Sequence, residues 1–222
     1  MNSFMIKRLI LKDWYLYRWP ITGYFLAGLL AIGIVALGSE TDFYFGSVLL
    51  ITVVIALGMH LVIGTTVTEH SEHTLPFVMS LPISITDYTA AKLLANLSIY
   101  LLPFSLFLAG SCLLLKFGNA GGVIPFTVLT LTELFASYAL TLAIALVSES
   151  MAWTIVMTVI CNLFLQGYLY YVSRIPSIAD TMKGPTAIWS QAAVTLLLVE
   201  LAIVAACFGL TFLMQARKTD FT

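Results

Sequence analysis

The chain has 222 residues, 60% of them hydrophobic and only 9% charged, with a net charge of −1 and a mean hydropathy of +1.01. Soluble domains carry roughly 25% charged residues, so a water-facing domain large enough for soluble chemistry is excluded. The near-zero net charge also excludes the basic footprint of a nucleic-acid binder.

Residues 1–19 form a charged, aromatic lead-in. If helical, it places Ile6, Ile10, Trp14 and Tyr17 on one face and Arg8, Lys12 and Tyr15 roughly opposite. That is the spacing of a helix lying in the membrane interface with Trp and Tyr at headgroup level. Asp13 falls near the apolar side, against the pattern. The alternative is a plain extension of the first span. Lys7, Arg8, Lys12, Asp13 and Arg18 precede the first apolar run, and no small-residue cleavage site ends it, so a cleavable signal sequence is not expected.

Six apolar runs follow: Pro20 to Leu37, Phe45 to Val67, Ala90 to Leu115, Val123 to Val147, Met151 to Val172 and Gln191 to Met214. Each is close to the roughly 20 residues that a membrane-crossing helix needs. The runs are continuous rather than alternating, which excludes a transmembrane barrel. The expected fold class is therefore an all-α membrane protein, a single domain over 1–222. Pro103 is a candidate kink in the third span. Cys112, Cys161 and Cys207 all fall inside apolar runs and read as packed thiols, with no disulfide framework. The last joint, Ser173 to Ser190, is too apolar for a solvated loop and suits a segment that dips back into the interface.

Charge sets the expected orientation. Seven of the ten Lys and Arg lie on the side of the termini: Lys7, Arg8, Lys12, Arg18, Lys92, Arg217 and Lys218. Lys116, Arg174 and Lys183 lie opposite. The positive-inside bias makes the terminal side cytoplasmic.

The joint between the second and third spans mixes charge with a compact apolar group. Glu69, His70, Glu72 and His73 lead into Thr74, Leu75, Pro76, Phe77, Val78, Met79, Leu81 and Pro82. Pro76 suits the first turn of a short helix, where its missing N–H costs nothing. Pro82 ends that helix by disfavouring helical geometry at Leu81. Ser84-Ile-Thr-Asp87 reads as a capping box, so the third span is expected to start there. The product is a short amphipathic helix over 69–84 whose apolar patch needs a partner or a bilayer surface. His70 and His73 with Glu69 and Glu72 lack the H-E-x-x-H order of a zinc protease, and no metal site is expected. The Asn96-Leu97-Ser98 sequon lies within a span and is discounted.

Three ionisable residues fall inside spans, His60, Glu133 and Glu200. A charged Asp, Lys or Arg at a helix centre costs roughly 2.5–3.5 kcal/mol on insertion scales. Such groups face a bundle interior or a wet cavity, so all three are candidates for a translocation path. Protonated carboxyls that serve packing are the competing explanation.

Glu69, Glu72, Thr74-Leu75, Leu81-Pro82-Ile83-Ser84, Tyr88 and Lys92 resemble a pattern found in ABC transporter permeases of the type-2 exporter family. There an acidic residue precedes Gly-Thr-Leu, then a Leu-Pro-(Val/Ile)-Ser turn, then a Lys at the start of the third span. Here His73 stands where that family has Gly, and the usual basic residue near the acidic ones is absent. The resemblance extends to the layout of the whole chain, with its interfacial lead-in, six spans, coupling helix and apolar last joint.

The resemblance implies a half-transporter in a bacterial cytoplasmic membrane, paired with a second copy or a paralogue and driven by two separate cytoplasmic ATPase subunits. Glu69, Glu72, Thr74, Leu75, Phe77, Val78, Met79, Leu81 and Pro82 would then couple to the ATPase. ATP and Mg would bind on that partner and no cofactor on this chain. The sequence has no G-x-x-x-x-G-K phosphate loop of its own, in keeping with that implication and with a non-enzymatic role for this chain. Two rival classes remain: a stand-alone ion-coupled carrier or channel, and an intramembrane enzyme. The enzyme would need a catalytic motif joining His60, Glu133 and Glu200, and none is visible. The cargo is not legible, although a compact apolar path with few charges suits an amphipathic peptide or a lipid-like molecule.

Overall fold

The computed structural model describes residues 3–68 and 85–216. Among these residues every regular element is helical. Six helices are long and apolar enough to cross a membrane, which is the architecture of a multi-pass membrane protein. They are α1 (Ser3–Val35), α2 (Glu40–Val62, continued by a π-helical turn over Ile63–Val67), α3 (Ile85–Phe117), α4 (Ile124–Ser148), α5 (Met151–Val172) and α7 (Gln191–Ala216). A short helix α6 (Pro176–Ala179) lies in the last joint.

Five of these spans start or stop outside the apolar runs, most of all α1 and α3. The lead-in is not a separate element, because α1 passes through Pro20 without a break. Helix α3 likewise runs through Pro103. Each has 33 residues, about 50 Å of helix against a hydrocarbon core of about 30 Å. Hydropathy finds only the part that matches the bilayer; the remainder is helical because it packs on another helix.

That packing is α1 against α3, side by side and parallel. Ile6 and Leu9 cluster with Tyr88 and Ala91 at one end. Phe25 stacks on Phe107 at 5.9 Å further along, and a Cβ on Gly110 would come 3.3 Å from Ile32 near the other end. Ile6, Leu9, Asp13, Tyr17 and Ile21 are buried, whereas Arg8, Lys12 and Tyr15 are exposed. The buried face follows the three-and-four spacing of a packed helix.

Helix α4 is the centre of the bundle and touches α2, α3, α5 and α7. Its core is aromatic. Tyr138 stacks flat on Tyr100 at 3.8 Å between ring centroids, and Phe135 and Phe104 extend the stack. Gly58 of α2 makes room for it, since a Cβ there would meet Tyr138 at 2.9 Å and Tyr100 at 3.3 Å. Apolar burial does not drive association inside lipid, so close packing of this kind and hydrogen bonds between helices hold such a bundle together.

Six crossings place residues 3, 68, 85, 148 and 216 on one side, here the terminal side. Gln215 donates to the Leu146 carbonyl and ties the last span to α4 there. The tight turn from α4 to α5 on that side puts Glu149 at φ 53°, a left-handed C-cap on a non-glycine residue. On the distal side, the Ser173 to Ser190 joint folds onto the loop before α4. Gly122 N–H donates to Gly184 C=O at 2.9 Å. Ile178 is buried with Leu129, Val172 and Ala193, capping the ends of α4, α5 and α7.

Candidate functional site: an anchored joint and two membrane carboxyls

The residues expected to couple to an ATPase, Glu69, Glu72, Thr74, Leu75, Phe77, Val78, Met79, Leu81 and Pro82, lie outside the described residues, as do His70 and His73. What is described is the frame that carries them, the end of α2 and the start of α3.

The frame is held by polar groups buried between helices. Lys92 Nζ donates to Asp13 Oδ2 at 2.9 Å, and both side chains are only 1% exposed. The other carboxylate oxygen, Oδ1, accepts no hydrogen bond and has Lys12 Nζ at the looser distance of 3.5 Å. One turn further along α3, Asn96 Oδ1 accepts from Thr65 Oγ1 at 3.0 Å, while its Nδ2 donates to the Lys92 carbonyl. Thr65 belongs to the π-helical turn, where the wider ring turns an extra residue inward. Tyr17 packs against Gly64 of the same turn, with no room for a Cβ between them. Trp14 Nε1 donates to Ser98 Oγ at 3.0 Å.

Both ends of the 69–84 segment are therefore fixed to each other and to α1. This explains the misfit noted in the sequence: Asp13 sits on the apolar face because its partner is Lys92. Burial also settles the sequon, since Asn96 is fully enclosed and its amide is committed to Thr65 and Lys92.

The intramembrane candidates separate into two groups. His60 is exposed at the edge of α1 and α2, with Tyr17 and Tyr24 presenting edge-to-face rings at 6.0 and 5.7 Å. It does not join the carboxyls. Glu133 and Glu200 are brought together at the α4–α7 contact, within electrostatic reach of each other. Each starts about 14 Å along its helix from the distal end, so the two share one depth. Ser137 donates to Glu133 Oε1 at 2.7 Å, and Tyr168 of α5 donates to Glu200 Oε1. The second oxygen of each carboxyl, Oε2, is buried without a hydrogen-bond partner. Neither carboxyl forms an ion pair among the described residues.

The pair is enclosed. The Ile178 cluster closes it on the distal side, and Ala136, Ala139, Val204 and Cys207 close the α4–α7 contact towards the terminal side. On the side of α2 and α5, Ser137 also borders a cleft of about 40 Å³ lined by Tyr138, Thr141, Thr158, Cys161 and Asn162. Tyr168 and Ser137 were missed in the sequence. A hydroxyl one turn after a buried Glu was the available sign for Ser137; Tyr168 carries no local sign at all. Chemically, the two carboxyls and their hydroxyl partners can hold protons or a cation. Among the described residues no three His, Cys, Asp or Glu come together as a metal site.

No protein-family profile, curated protein or solved structure matches this chain.

Proposed function

We propose that this chain is the membrane-spanning subunit of an ATP-driven exporter of the ABC type. It lines a substrate path as a dimer with a second copy or a paralogue and is driven by separate cytoplasmic ATPase subunits. ATP and Mg bind on those subunits, and the terminal side faces the cytoplasm. Residues 69–84 are the coupling segment that the ATPase grips, with Leu75, Phe77, Val78, Met79 and Leu81 as apolar anchors and Glu69 and Glu72 at the polar rim.

The observation that carries this reading is the buried Asp13–Lys92 ion pair. A lever transmits force only if its mounting is rigid. Of the two helices that hold the 69–84 segment, the third span is joined to α1 by that ion pair and by Trp14–Ser98, and to the end of α2 by Thr65–Asn96. Lys92 is also the residue that matches the family's Lys at the start of the third span, and its pairing with α1 gives that position a mechanical role. Residues 1–19 then lie at the cytoplasmic edge of the bilayer, with Arg18 over the Tyr15 ring at 4.2 Å as an interfacial anchor.

Phe77→Asp places a charge at the centre of the proposed grip. The expected outcome is normal insertion and yield with loss of the co-purifying ATPase. Co-purification at the unaltered level would remove the assignment of 69–84.

A second reading, a carrier driven by an ion gradient, is favoured by one observation: two buried carboxyls at one depth with two unpartnered oxygens. Vesicles containing this chain alone separate the two. A carrier moves cargo when a proton or sodium gradient is imposed, and the proposed subunit does not.

A further inference from the structure

A side chain turned outward from a membrane span has to settle its polar atoms without water. The exposed hydroxyls of the spans do so within their own helix: Thr22, Thr52, Ser105 and Thr195 each donate to a carbonyl three or four residues back. The Asn162 amide of α5 does the same, donating to the Thr158 carbonyl at 2.9 Å. Gln166, one turn further along α5, does not. Its side chain is exposed and makes no hydrogen bond among the described residues. A Gln arm is too long to fold back in the way that Ser, Thr and Asn do. The residue lies six positions before Val172, where α5 ends, which is about 9 Å inside the distal end of the span. Exposed Tyr170 and Tyr171, with Arg174 over the Tyr170 ring at 4.1 Å, mark the headgroup level one turn beyond it. Two amide donors and a carbonyl oxygen are therefore presented to hydrocarbon with nothing to bond.

The face around Gln166 is a seam. Val156, Val159, Leu163, Gln166 and Tyr170 recur at alternating steps of three and four, and all are exposed. The stripe that packs on the bundle, Thr154, Thr158, Cys161 and Leu165, is a different one. A three-four repeat is the spacing by which two helices interdigitate along their length. The seam carries no charge, so two copies of it do not repel.

We propose that this face of α5 is the contact between two copies of the chain, with the two Gln166 amides bonded to each other. The inference rests on the dimer proposed for this chain and names its contact. Two copies inserted with the same orientation are related by a two-fold axis along the membrane normal, so a residue facing the axis meets itself at its own depth. An amide is both donor and acceptor and can bond its own kind twice. One polar position in an apolar seam also fixes register. A different partner would need a donor and an acceptor at that depth by coincidence, whereas a second copy supplies both by symmetry.

Single cysteines test the contact in the full chain, expressed alone, with Cys112, Cys161 and Cys207 replaced by Ala. Leu163→Cys and Tyr170→Cys lie on the seam. Phe164→Cys and Tyr171→Cys are their neighbours in sequence, similarly exposed and close to the same depth, but turned about 100° round the helix. Membranes are oxidised with copper phenanthroline, and the disulfide-linked dimer is counted on a non-reducing gel. The expected result is at least about fivefold more dimer at Leu163 and Tyr170 than at Phe164 and Tyr171, because a disulfide forms only where the two Cα atoms come within about 7 Å. Equal yields at the four positions, or more at Phe164 and Tyr171, overturn the contact and leave the proposed dimer standing. No dimer at any position overturns the contact as well and leaves the proposed subunit only its pairing with a paralogue. Gln166→Leu keeps the bulk and removes the amide; added to the Leu163→Cys reporter, it should lower the dimer yield at least about threefold. An unchanged yield likewise overturns the proposal, since the amide is what selects a second copy. Unaltered yield in the membrane fraction shows that each variant inserts.

Discussion

The Asp13–Lys92 pair allows a quantitative test of the anchored joint. Removing one partner of a buried ion pair typically costs about 3–5 kcal/mol, because the other charge is left enclosed, whereas replacing both by apolar residues of similar size is often neutral or stabilising. Both side chains are 1% exposed, and their 2.9 Å contact joins α1 to α3. Lys92→Met leaves Asp13 with Lys12 at 3.5 Å, so the loss belongs at the low end, about 3 kcal/mol. Asp13→Leu is expected to cost a similar amount. If the two acted independently, the double variant would lose about 6 kcal/mol; the pairing predicts a double variant within about 1 kcal/mol of the unaltered chain. Reversible unfolding in mixed SDS micelles, read by the circular dichroism of all four proteins, measures the cycle. A double variant as unstable as the sum of the singles would refute the reasoning, and so would singles that change stability by less than about 0.5 kcal/mol.

Three further expectations follow from the packing, the carboxyls and the orientation. Gly58→Ala drives a methyl into the stacked Tyr138 and Tyr100 rings, and thermal unfolding should show a loss of about 1–3 kcal/mol. Gly167→Ala meets open space and should leave stability unchanged or raise it by up to about 1 kcal/mol. Glu133→Gln and Glu200→Gln keep one hydrogen-bonding oxygen each; if the carboxyls serve the path, transport should fall at least about tenfold, which corresponds to about 1.4 kcal/mol in the barrier. Transport at the unaltered rate in both would assign them to packing alone. A single cysteine at Gly184 should react with an impermeant maleimide added to intact cells, whereas one at Ser148 should react only after the cells are opened, and the reverse result would invert the orientation.

The spans were legible because membrane burial is written in composition: α5 begins and ends at the residues that hydropathy gives. The first 16 residues of α1 are a different case. Their charges exclude them from the hydrocarbon, and their helical state is settled by α3, a partner that sequence does not reveal. Asp13 looked like a flaw in an amphipathic pattern for the same reason, because Lys92, which pairs with it, lies 79 positions away.

Glu133 and Glu200 could be nominated as costly groups in a membrane. Their meeting at one contact, and the exclusion of His60 from it, depends on which faces of α4 and α7 pack together. The Tyr168–Glu200 bond spans two helices and is invisible to any local reading. The 69–84 segment is the converse case: it is prominent in the sequence, and the described structure reaches only the two helix ends that flank it.

The most direct test of the central proposal places a photo-crosslinking amino acid at Phe77 in the full chain and irradiates intact cells. The account predicts a covalent adduct between this chain and a cytoplasmic polypeptide that carries a phosphate-binding loop and hydrolyses ATP. Adducts to lipid alone, or labelling of the Phe77 position from outside the cell, would contradict it.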